Sequence, residues 1–132
     1  MKPWQKIWRA GIAPFLPERG LQALADALQN DDPQLLQGFT TDIPLLEAWN
    51  HREIQGACAL GFCGWQGLGL RTLQEVTSFF ESTCQRADRV LGEPGFTRQF
   101  LDWYDRVPRS EMRSQLLPEV FAELRNRLRQ AA

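Results

Sequence analysis

The stretch from residue 72 to residue 94 constrains the fold most, because it carries a start signal, an apolar face and a stop signal for one long helix. Thr72-Leu73-Gln74-Glu75 has the form in which a threonine hydroxyl accepts from the amide three residues on while the glutamate reaches back. Leu73, Val76, Phe79, Phe80, Cys84, Ala87, Val90 and Leu91 follow in steps of three and four, which places them on one helical face. Gly92 supplies a left-handed C-terminal cap and Pro94 prevents continuation. The pattern predicts a helix over 73–91.

The same punctuation extends to both sides. Phe96, Phe100, Leu101, Trp103, Tyr104 and Val107 predict a shorter aromatic helix that ends before Pro108. Ser110 then reads as the N-cap of a last helix that buries Met112, Leu116, Leu117, Val120, Phe121, Leu124 and Leu128. Pro118 lies inside that pattern and predicts a kink, or alternatively a break with a new start at Pro118. Earlier in the chain, Pro3, Pro17 and Asp32-Pro33 each predict the start of a short helix, the third stopping at Gly38.

Residues 39 to 70 break the pattern. GACALGFCGWQGLGL places glycines at 56, 61, 64, 67 and 69. A helix through them would lose about 1 kcal/mol per glycine relative to alanine. The expectation is therefore an irregular glycine-rich crossing ahead of the central helix. At 132 residues, with no linker or repeat, the chain reads as one domain over 1–132. The fold class that follows is all-α, a compact bundle of about five or six helices.

That glycine-rich segment, 56–69, is also the most distinctive candidate for binding. Gly64 and Gly67 allow close backbone approach, Trp65 offers a flat apolar surface, and Cys63 lies between them and Phe62. These four residues are the candidate ligand-binding set. The glycines match neither of the common phosphate-binding fingerprints, and both lysines, Lys2 and Lys6, lie far away. The bland alternative is a connection whose glycines turn tightly against the core.

A metal site would have to draw on His51, Cys58, Cys63 and Cys84. Cys58 and Cys63 are spaced more loosely than a zinc knuckle and have no second close pair, so no metal is expected. Free cysteines are commonly small buried apolar residues. His51 is the only histidine, and its neighbours are polar, so it reads as an exposed turn residue. No nucleophile–base pair is spelled out. Hence no catalytic residue and no cofactor is expected.

Charge narrows the partners. There are 15 basic and 16 acidic residues, for a net charge of −1, which gives no long-range field toward nucleic acid or an anionic membrane. Taken alone, Arg98, Arg106, Arg109, Arg113, Arg125, Arg127 and Arg129 would suggest a phosphate-binding stripe. Asp102, Asp105, Glu111, Glu119 and Glu123 are interleaved with them, and pairs such as Asp102–Arg106 and Asp105–Arg109 fit helix surfaces better. Trp4 and Trp8, beside Lys2, Lys6 and Arg9, fit either a membrane interface or a clamp onto the body. No run of apolar residues is long enough to span a membrane. Three cysteines, an odd count without a leader-like apolar run, point to the cytoplasm.

Together these readings favour a small non-enzymatic accessory or interaction protein. It would work through helix-mediated binding of another protein or of itself, a homodimer being the commonest form of self-association. The alternative is a small-ligand or metal-binding protein, with enzymatic activity included, centred on 56–69.

Overall fold

The long helix expected from the Thr72 and Gly92 signals forms between those two caps. In the computed structural model, which describes residues 1–43 and 51–131, it runs Leu73–Leu91. The Thr72 hydroxyl accepts from the Glu75 amide at 3.2 Å, and Glu75 Oε1 accepts from the Thr72 amide at 3.2 Å. Gly92 closes the helix in the left-handed region at φ 86°. In chain order the described residues form six α-helices: α1 (Pro3–Ile7), α2 (Glu18–Asn30), α3 (Ala59–Leu68), α4 (Leu73–Leu91), α5 (Thr97–Arg106) and α6 (Arg109–Ala131). Among them there is no strand, only isolated bridges such as Leu35 with Ala57. The architecture is all-α.

Three local expectations are corrected. Residues 59–68 are helical rather than irregular, so the glycine-rich segment is mostly α3. The irregular part lies on either side of residues 44–50, which are outside the described residues. It is held by backbone pairs: the Leu36 amide donates to Ala57 at 2.8 Å, and the Cys58 amide to Thr40 at 3.0 Å. Asp32-Pro33 opens no helix. Its carboxylate accepts from the Gln34 amide at 2.9 Å and its carbonyl from Leu35 at 3.0 Å, which makes a turn. Ser110 is not the N-cap of the last helix, because α6 already starts at Arg109 behind Pro108. Pro118 lies within α6, which continues past it.

Between α1 and α2 the helix widens into one π-type turn, Trp8–Ile12, and then tightens over Ala13–Phe15. The extra residue in the turn lets Trp8, Gly11, Ile12 and Ala13 all face inward. Trp8 is 0% exposed and stacks on Phe100 with ring centroids 5.4 Å apart. Trp4, also buried, lies flat on Trp103 at 3.6 Å. Both tryptophans therefore clamp the N-terminal turn onto α5, and the membrane-interface arrangement is not what they form. Tyr104, buried beside Phe100, donates its hydroxyl to the Leu36 carbonyl at 2.6 Å. That bond ties α5 to the irregular segment.

Candidate functional site

The four candidate binding residues stay together, but as part of a helix interior. Cys63 is fully buried, and Gly64 faces the ring of Phe79 so closely that a Cβ there would overlap it. Gly67 lies against the backbone of Gly20 on α2, and Gly20 in turn against the backbone of Cys63. Trp65 is half-buried with its ring edge-on to Phe62, centroids 5.8 Å apart. Thus Gly61, Gly64 and Gly67 recur every third residue because α3 must approach both α2 and α4 closely. The sequence showed the glycines but not the contacts of Gly64 with Phe79 and of Gly67 with Gly20, which lie more than ten residues away.

The metal candidates do not gather. Among the described residues no group of three or more His, Cys, Asp or Glu side chains is placed to hold an ion. Cys58 and Cys63 are buried, Cys84 is half-buried on α4, and His51 is exposed. Burial pushes the Cys58 thiol up to about 11 and Cys84 up to about 12, and raises Cys63 as well. Such thiols hold their protons at neutral pH and are poor nucleophiles.

The arginines expected on helix surfaces act as long-range ties. Arg109 pairs not with Asp105 but with Asp31 at 2.6 Å, and donates to the Asp32 carbonyl at 2.8 Å. Arg113 donates to the Leu28 and Gln29 carbonyls at 2.7 and 3.1 Å, which satisfies the open C-terminal end of α2. Asp105 instead accepts from the Gly38 amide at 2.8 Å. Arg127 pairs with Glu123 at 3.0 Å and donates to the Ala13 and Leu16 carbonyls. Three of the seven late arginines, Arg109, Arg113 and Arg127, are thus engaged inside the molecule.

A cleft of about 250 Å³ lies between the π-type turn and α6, lined by Trp8, Arg9, Ala13, Glu119, Ala122, Glu123 and Asn126. Its two carboxylates are already paired. Glu119, only 6% exposed, accepts from Arg9 at 2.6 and 2.7 Å, and Glu123 accepts from Arg127. A bidentate pair of this kind locks α6 to the N-terminal turn.

The last helix carries apolar side chains on two adjoining faces. Met112, Leu116 and Val120 form the inward face of α6 and are fully buried. A second stripe runs beside them: Leu117, Phe121, Leu124 and Leu128, at steps of four, three and four. Phe121 is 37% exposed and Leu128 70% exposed, while Leu117 and Leu124 are half-buried against the core. Sequence periodicity placed all seven in one buried set. The structure splits them into a core face and a face toward solvent. The other large exposed apolar side chains among the described residues, such as Phe15, Phe39, Leu68 and Val90, are distributed over four different segments. On α6 two large exposed side chains, Phe121 and Leu128, lie on one face. No described helix is long and apolar enough to cross a membrane.

The chain matches no protein-family model, no curated protein and no solved structure, so the outward face of α6 is the feature of the geometry from which a function is argued.

Proposed function

We propose that this chain is a non-enzymatic interaction protein that binds another protein helix, or itself, through the outward face of α6. The observation that carries this reading is the row Leu117–Phe121–Leu124–Leu128, which extends for three turns with Phe121 and Leu128 exposed. Apolar side chains at alternating four- and three-residue steps form a seam that a facing helix fills by knobs-into-holes packing. The near-zero net charge favours association, since copies or partners do not repel at long range. Protonated, buried thiols fit a cytoplasmic setting in which no disulfide is needed.

The small-ligand alternative has less support, because Gly64 and Gly67 are occupied by Phe79 and Gly20. A double substitution tests the α6 reading. Phe121→Glu with Leu128→Glu places charge on exposed or half-exposed positions of a helix that tolerates glutamate. Light scattering across micromolar concentrations is expected to show an associated wild type and a smaller variant with unchanged far-ultraviolet circular dichroism. Identical masses for the two proteins would remove the α6 face as the binding surface.

A further inference from the structure

We draw no further inference here: the strongest candidate, the cleft between the π-type turn and α6 that is lined by Trp8, whose indole N–H has no partner among the described residues, carries nothing, because that nitrogen is closed to solvent and Glu119 and Glu123 are already paired with Arg9 and Arg127, so nothing in the structure defines the chemistry of a ligand.

Discussion

At the scale of single residues, the clearest design element is the glycine contact between α2 and α3. A Cβ on Gly20 would overlap the Cys63 carbonyl and lie 2.8 Å from its Cα, and a Cβ on Gly67 would lie 2.6 Å from the Gly20 amide nitrogen. Neither obstacle is the movable tip of a side chain; both are backbone. Helix propensity alone favours Gly20→Ala by about 1 kcal/mol. Packing opposes it by about 1–3 kcal/mol, at the upper end here because helix axes have to separate. Gly20→Ala is therefore expected to lower stability by about 2 kcal/mol in urea unfolding, whereas Gln22→Ala, exposed on the same helix, should stay within about 0.5 kcal/mol. A Gly20→Ala protein as stable as wild type would mean that α2 and α3 do not cross at these glycines.

At the scale of elements, legibility in the sequence follows how local the deciding forces are. The bounds of α4 were readable because Thr72, Glu75, Gly92 and Pro94 act within a few residues of the ends they define. The helical state of 59–68 was not, because the gain that outweighs its glycines comes from Gly20, Val76 and Phe79. The start of α5 shows the same contrast. No side chain at its N-cap residue Phe96 satisfies the first turn; Asp88, back on α4, does so. Its carboxylate accepts from the Gly95 and Thr97 amides at 2.9 Å each and from the Thr97 hydroxyl at 2.6 Å. A cap reaching nine residues forward has no sequence signature. On α6 the apolar positions were legible, but their division between core and solvent was not, since it depends on which neighbours α6 meets. Asp88→Ala removes all three acceptor contacts and frees the α4–α5 corner. It is expected to lower stability by about 1–2 kcal/mol, the range for lost N-terminal caps, with the change visible in denaturant midpoints. A neutral outcome would place the stability of that corner in the Thr97 and Phe100 packing alone.

For the whole molecule, the same carboxylates set the response to acid. Asp88 is held below the ordinary carboxylate range: burial pushes it up, but the hydrogen bonds from Thr97 and Gly95 outweigh that. The hydrogen bond from Arg109 lowers Asp31, and the backbone amides of Thr72 and Arg71 lower Glu75. A depressed folded value means that the contribution to stability is fully present above the unfolded pKa and is lost as pH falls through the folded one. Asp105 has the opposite sign. Burial raises it above its unfolded value, so its contribution is greatest under acid conditions and is lost as pH rises through the raised value. Asp31 and Glu75 are exposed and screened by solvent, whereas Asp88 is half-buried. Stability is therefore expected to hold from neutral pH down to about pH 5 and to fall below it, from the ordinary carboxylate range downward. In Asp88→Ala that fall should be shallower, because the depressed group no longer takes up its proton on unfolding. Equal slopes for the two proteins between about pH 5 and pH 2 would show that acid sensitivity resides elsewhere. Such titrations have to be run at several protein concentrations. As carboxylates protonate, 15 basic groups leave each copy strongly positive, and a dimer would separate by repulsion before its subunits unfold. A transition that shifts with concentration reports that separation, and one that does not reports the fold.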